Sequence, residues 1–246
     1  MDAWRVPRGP LPWRRDTLHV WLATWPEEDA GSAGVLTTAE RERAARFLFA
    51  RDRVRFIRSH TALRVILSGY TGMPPGTTPL RVAGGGKPEL AAGRGGWRFN
   101  LSHSGSAALV GAAWEREIGV DIETLGRLAD AGSVASRFFA PAECAALQTV
   151  PPEAYDRAFF ACWTRKEAFI KATGEGLRRG LGSFAVPVDP EDAGPWRIDG
   201  WSVMALAAPP GYACAMAVEG EPGQVCRWRF DAWPRTNTED GDGSGS

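Results

Sequence analysis

Three short stretches combine residue types that chemistry needs. The first, Gly119-Val120-Asp121-Ile122-Glu123, alternates apolar and acidic residues. In a strand, Val120 and Ile122 would enter a core while Asp121 and Glu123 project together from the opposite face. Two carboxylates held that close repel unless a cation joins them; the plainer alternative is a pair of solvated acids at a strand end. Oxygen donors without a histidine or thiolate cluster favour magnesium or manganese over zinc. The second stretch is Trp163-Thr164-Arg165-Lys166-Glu167-Ala168-Phe169-Ile170-Lys171-Ala172. At helical spacing Trp163, Glu167 and Ile170 occupy neighbouring rows, and Lys171 follows Glu167 by one turn. An exposed Glu-to-Lys pair would be worth only about 0.2 to 0.5 kcal/mol. Ala168, Phe169 and Ile170 mark the helix as mostly buried, however, and charge there needs a purpose. The third stretch, Phe99-Asn100-Leu101-Ser102-His103-Ser104-Gly105 with Lys87 upstream, reads as a strand end followed by a turn from Ser102 to Gly105. Such a turn can offer donors to an anion, or it can be a polar turn in which His103 satisfies a buried carbonyl.

Other chemistries lack their residues. Gly84-Gly85-Gly86-Lys87 is not a P-loop, because the spacing is wrong and Pro88 stands where Ser or Thr is required. No Gly-x-Ser-x-Gly elbow exists for a serine hydrolase, and three histidines leave little choice of base. Cys144, Cys162, Cys214 and Cys226 have no Cys-x-x-Cys spacing, which predicts a reduced, disulfide-free, cytoplasmic protein. The first 16 residues lack the apolar core of a signal peptide, and no stretch reaches the length of a membrane span.

The elements that must position these stretches follow from pattern. His19 to Trp25 reads as an early strand. Thr37-Thr38-Ala39-Glu40 after Leu36 fits a capping box with a hydrophobic staple, opening a helix that continues from Arg41 to Phe49. A second helix spans Asp52 to Leu67, with Phe56, His60, Leu63 and Leu67 toward the core and Arg51, Arg55 and Arg58 on a separate stripe. Strands are expected at Trp97 to Leu101, Ala107 to Ala113 and Ile118 to Ile122, and a long helix from about Glu153 through Ala172, ended by Gly174. Trp201 to Ala207, Tyr212 to Val218 and an edge strand at Cys226 to Phe230 complete the set. Arg46-Phe47-Leu48-Phe49-Ala50 is echoed by Arg137-Phe138-Phe139-Ala140-Pro141, each followed by a long helix and then strands. The echo predicts a pseudo-duplicated α+β architecture of two lobes, residues 1–118 and 119–235, with 236–246 a disordered tail.

Charge is divided the same way. Of the 246 residues, 29 are Lys or Arg and 29 Asp or Glu, a formal zero that argues against a dedicated nucleic-acid or membrane-surface binder. Up to Ile118 there are 17 basic against 11 acidic residues, a net of +6, leaving 12 against 18 beyond it. Arg41 to Arg64 alone holds eight arginines against Glu42 and Asp52. Only three lysines occur, Lys87, Lys166 and Lys171.

Taken in order, Lys87-Pro88, the Phe99–Gly105 stretch, Gly119–Glu123 and Trp163–Lys171 closely resemble the motifs of the Sfp-type 4′-phosphopantetheinyl transferases. The resemblance spans roughly Arg46 to Leu177. It implies a two-lobed pseudo-dimer of similar α+β subdomains with coenzyme A in the cleft between them. It implies transfer of the phosphopantetheine arm to a serine of an apo acyl or peptidyl carrier protein, releasing adenosine 3′,5′-bisphosphate. By the same resemblance, Asp121, Glu123 and Glu167 would hold magnesium, with manganese an alternative. Lys87, Ser102 and His103 would hold the 3′-phosphate and its neighbours, Arg55 matches a basic residue of the N-terminal helix, and Lys171 would reach the diphosphate. Lys166 and Asp121 also match coenzyme A-binding positions. Glu167 is the expected general base, with Glu123 or a water as alternatives. Arg41, Arg43, Arg46 and Arg51 are equal candidates for a further phosphate contact. Carriers of polyketide or nonribosomal peptide synthesis, a monomeric state, and no nucleic-acid or membrane partner complete the expectation. A metal-dependent nuclease is the weaker enzyme reading, since it wants Glu-x-Lys on a strand; a non-catalytic carrier-binding scaffold would not need all three ligands.

Overall fold

The computed structural model describes residues 4–9, 11, 14–26, 33–82, 88–91, 96–128 and 130–232. Lys87 and the 236–246 tail lie outside the described residues. The elements are β1 (Thr17–Thr24), α1 (Thr38–Ala45), α2 (Ala50–Thr71), β2 (Leu80–Val82), β3 (Pro88–Leu90), β4 (Trp97–Ser104), β5 (Ala107–Trp114) and β6 (Ile118–Thr124). They continue with α3 (Ala131–Phe138), α4 (Pro141–Gln148), α5 (Pro152–Thr173), β7 (Trp196–Ile198), β8 (Trp201–Ala205), β9 (Tyr212–Glu219) and β10 (Gln224–Phe230). Among the described residues no helix is long and apolar enough to cross a membrane.

Two four-stranded sheets dominate, in the orders β10-β1-β5-β4 and β6-β9-β8-β7. They stack face to face because their strands alternate: Leu18, Val20 and Leu22 of β1 meet Ile118, Val120 and Ile122 of β6 and Met216 of β9 in one core between the sheets. The outer face of the first sheet takes α2 through Ala62, Leu63, Ile66 and Leu67 against Trp21, Phe99 and Val110. The outer face of the second takes α5 through Phe169, Ile170 and Ala172 against Val203, Ala215 and Ala217. The order of layers is therefore helix, sheet, sheet, helix, an α+β fold of two lobes.

Local signals explain the helix ends. Thr37 caps α1 in a full capping box: its backbone N–H donates to Glu40 Oε2 at 2.9 Å, and the Glu40 N–H donates to Thr37 Oγ1 at 3.3 Å. Both 22-residue helices stop at a left-handed glycine, Gly72 (φ 67°) after α2 and Gly174 (φ 70°) after α5. Helix α1 ends at Ala45 rather than Phe49, because Phe49 is extended and begins α2. The arginine stripe of α2 runs from exposed Arg51 through half-buried Arg55 to buried Arg58.

Two further expectations change. The Ser102–Gly105 turn is in fact the end of strand β4, which continues to Ser104; the chain reverses only at Gly105, whose φ of 56° suits glycine. The last strand, β10, lies in sequence within the expected C-terminal lobe (119–235) but pairs in parallel with β1, from Thr17 opposite Gln224 to Ala23 opposite Phe230. The unpaired edge of β1 needed a partner, and the last strand supplies it.

Candidate active site at the lobe seam

Strand β6 and helix α5 build the centre. Gly119 lets them touch: a Cβ there would lie 2.1 Å from the Ala168 carbonyl oxygen and 2.4 Å from the Ala172 nitrogen. This approach places Asp121 and Glu123, on the α5 side of β6, beside Glu167 and Lys171, which lie one helical turn apart. Lys171 Nζ is 2.5 Å from Asp121 Oδ1 and donates to Ser102 Oγ at 2.9 Å, and Ser102 Oγ donates to Asp121 Oδ1 at 2.8 Å. Ser104 Oγ donates to Glu123 Oε2 at 2.8 Å.

The electrostatics show how close these groups are. Burial, then the negative charge of Asp121, raises the Glu123 carboxyl above its ordinary value, against Ser104 and Lys171, which pull it down. Burial and Asp121 likewise raise Glu167, with Lys171 opposing. Asp121 is buried, and its Oδ2 has no hydrogen-bond partner. A desolvated, unpartnered carboxylate oxygen is costly and asks for a cation. Among the described residues no group of three His, Cys, Asp or Glu side chains encloses a metal by itself. Magnesium does not require one, since it is usually held by one or two carboxylates with substrate phosphates and water completing its shell. The donor set fits that ion.

A basic wall stands opposite. His103 lies toward the exposed end of β4, where partial desolvation, then the charges of Lys171, Arg55 and Arg43, hold its pKa below the ordinary value. Of the four upstream arginines, Arg43 is the one whose charge is felt at His103, and its guanidinium lies over the Phe56 ring. Arg41 is committed to the Leu36 carbonyl and Thr38 Oγ1, and Arg51 lies over the Phe49 ring and beside Asp52. Arg55 keeps a 3.4 Å contact with Asp52.

Not every expected residue joins the centre. Lys166 is fully buried and points away from the cleft: Nζ pairs with Glu143 Oε2 at 2.8 Å and donates to the Leu181 and Phe184 carbonyls, both at 2.7 Å. With its donors thus spent, it binds protein rather than coenzyme A, a correction to the motif-based expectation. Ser102 and His103 are separated by strand alternation, Ser102 turning to Asp121 and His103 to the arginines of α1 and α2. Asn100 and Ser104, which the motif resemblance leaves without an assigned role, both contact β6; the signal is a polar residue at every second position from Asn100, which a turn over Ser102–Gly105 conceals. A cavity of about 310 Å³ lies elsewhere, beside Ala161, Thr164, Leu206 and Pro209, and none of the carboxylates lines it.

Comparison with known proteins identifies the family. Residues 117–216 match the family described as the 4′-phosphopantetheinyl transferase superfamily, and residues 23–115 match the family described as 4′-phosphopantetheinyl transferase, N-terminal. The chain is similar to the 4′-phosphopantetheinyl transferase HetI of Nostoc sp., with 35% identity over 232 residues, 92% of this chain and 98% of that protein. It is 37% identical over 153 residues to a putative 4′-phosphopantetheinyl transferase of Synechocystis sp., covering 61% of this chain and 62% of the relative. A 4′-phosphopantetheinyl transferase of Bacillus subtilis is 35% identical over 162 residues, 65% of this chain and 69% of the relative.

Proposed function

Because the chain belongs to the 4′-phosphopantetheinyl transferase superfamily and is a transferase of that class, we propose that it moves the phosphopantetheine arm of coenzyme A to a serine of an apo acyl or peptidyl carrier protein, with magnesium. The observation that carries this reading is the convergence of Asp121, Glu123 and Glu167 on Lys171 around an unpartnered buried oxygen. A polyketide or nonribosomal peptide carrier is the proposed class of acceptor. Action as a monomer in the cytoplasm is part of the proposal, supported by both lobes lying on one chain and by the intracellular supply of coenzyme A.

Asp121, Glu123 and Glu167 would hold the ion, which supplies Lewis-acid polarisation of the diphosphate. Arg43, Arg55 and His103 would bind the 3′-phosphate end, with Lys87 a further candidate. The carrier serine oxygen forms a bond to the phosphorus bearing the pantetheine arm, and the bond from that phosphorus to the bridging oxygen breaks. Adenosine 3′,5′-bisphosphate leaves with the bridging oxygen. Lys171 faces the charge that develops on it. The serine proton passes to Glu167, directly or through a water, with Glu123 the alternative base.

Incubating the chain with coenzyme A, magnesium and an apo carrier should give a carrier heavier by one phosphopantetheine, detected by intact mass, and a chelator should abolish the shift. A folded sample that leaves several carriers unmodified would defeat this reading.

A further inference from the structure

Strand β6 carries two of the proposed ligands and stands at the edge of its sheet, paired with β9 on one side. An edge strand has N–H groups that still need acceptors. Among the described residues no strand supplies them on the open side. The Val120 N–H donates to Asn100 Oδ1 at 2.9 Å, the Ile122 N–H to Ser102 Oγ at 3.4 Å, and the Thr124 N–H to Ser104 Oγ at 3.1 Å. Three side chains of β4, two residues apart along the other lobe's edge strand, thus do what a neighbouring backbone would do.

The same side chains hold the carboxylates between these amides. Ser102 Oγ donates to Asp121 Oδ1, and Ser104 Oγ donates to Glu123 Oε2, both at 2.8 Å. Asn100 and Ser102 are buried, so the bonds they make are shielded from competing water, whereas Ser104 lies at the more open end of the row. Each serine accepts from the β6 backbone and donates to a β6 carboxylate, which fixes the rotamer of the acid relative to its own main chain. The sequence pattern of one lobe therefore sets the direction of the acids of the other.

We propose that Asn100, Ser102 and Ser104 form a ladder of positioning residues. It locks β4 to β6 and, through Asp121 and Glu123, aims the two carboxylates across the seam. Ser104 is the cleanest member, because Ser102 also meets Lys171 whereas Ser104 acts on Glu123 without touching the lysine. This inference rests on the transferase reading above for its kinetic part, and on the hydrogen bonds alone for the rest.

The test compares Ser104→Ala with Ser104→Thr in the full chain, alongside Asn100→Leu and Asn100→Asp. For Ser104→Ala we expect kcat to fall about 10- to 100-fold, as for loss of a partner behind a metal ligand. KM for coenzyme A should stay within about two-fold. Manganese binding, followed by its electron paramagnetic signal without either substrate, should weaken by a comparable factor. Amide hydrogen exchange at Thr124 should accelerate by about ten-fold or more, while Ile118 keeps its protection. Ser104→Thr, which keeps the hydroxyl, should restore both rate and metal affinity. Asn100→Asp, which keeps the acceptor, should protect the Val120 amide, and Asn100→Leu should expose it. Unchanged exchange at Thr124, unchanged manganese affinity in Ser104→Ala, or no rescue by Ser104→Thr would overturn the ladder. If the wild type modifies no carrier, the transferase reading fails, while exchange and manganese binding still judge the ladder.

Discussion

The two lobes answer the same packing problem with the same device. In the N-terminal lobe, Arg64, the fifteenth residue of α2, is buried and takes the capping glutamate of α1, with Arg64 Nε 2.6 Å from Glu40 Oε2. Its Nη1 also donates to the carbonyls of Pro75 and Thr78, in the segment that follows α2. In the C-terminal lobe, Lys166 is the fifteenth residue of α5. It takes Glu143 of α4, which itself accepts the Ala140 N–H at 2.7 Å in capping position, and two carbonyls after α5. One buried cation thus ties short helix, long helix and following loop together in each half. The difference lies beside it. Glu167 and Lys171 follow Lys166 by one and five residues, and the same steps from Arg64 reach Val65 and Gly69. On the strands, where Leu18, Val20 and Leu22 correspond to Ile118, Val120 and Ile122 in the shared core, the outward positions are Trp21 and Ala23 in β1 but Asp121 and Glu123 in β6. Trp21 and His19 bond to Tyr70 of α2, at 2.8 and 2.6 Å. One lobe uses that face for packing and the other for charge, so charge at this position reports chemistry rather than architecture.

The largest effect should come from making the C-terminal face resemble the N-terminal one. Asp121→Ala should lower carrier modification by about 10³-fold or more with the unfolding temperature little changed, read by mass spectrometry and calorimetry. Near-normal turnover would remove Asp121 from the centre and leave the lobes chemically equivalent.

The shared device should break unequally. Lys166→Ala leaves Glu143, only 2% exposed, as an uncompensated buried charge and should cost about 3–5 kcal/mol in urea unfolding. Arg64→Ala leaves Glu40, 15% exposed, able to reach water and should cost less, about 2 kcal/mol. Equal losses would mean that burial of the glutamate does not set the difference.

Acid should separate the halves more gently. His60 of α2 stacks on Phe56 with ring centroids 3.8 Å apart, and burial pushes its pKa down from 6.5 to about 4. The unfolded chain protonates this residue near pH 6.5 and the folded chain only near 4. Its contribution is therefore complete above pH 6.5 and is lost as pH falls toward 4, by at most about 3 kcal/mol. The matching position of α5 is Cys162, whose thiol burial pushes upward, so it stays neutral throughout this range. His60→Leu should flatten the fall in unfolding temperature between pH 6.5 and 4; an unchanged slope would locate the acid sensitivity elsewhere.

Much of this plan was legible in the sequence, because period and punctuation are local. Thr37-x-x-Glu40, the alternation of Gly119 to Glu123 and the glycine after α5 each act within a few residues. The long helix Pro152–Thr173 was read almost to its ends. What escaped depends on partners far along the chain. Lys166 looked like a site residue because it neighbours Glu167, yet its orientation is decided by Glu143 and by carbonyls 15 and 18 residues later. Ser104 looked like part of a turn because Ser and Gly favour turns, yet β6 turns its row of hydroxyls into a strand edge. The β10 edge strand was read correctly, but its partner, β1, could not be seen from local pattern.

That last pairing governs how the molecule can be made. Thr17 and Gln224 lie opposite each other, 207 positions apart, so β1 waits for β10 to be made before its outer edge is covered. Contacts this distant in sequence carry a large closure cost and form late. The Trp4 indole N–H, which donates to the Ala207 carbonyl at 2.8 Å, joins the same late event. The two halves are therefore not separable modules: residues 1–118 made alone would lack Phe230 and Trp228 from the core under α2 and would display a bare, aggregation-prone edge of β1. The chain closes like a belt, and the buckle is its last strand.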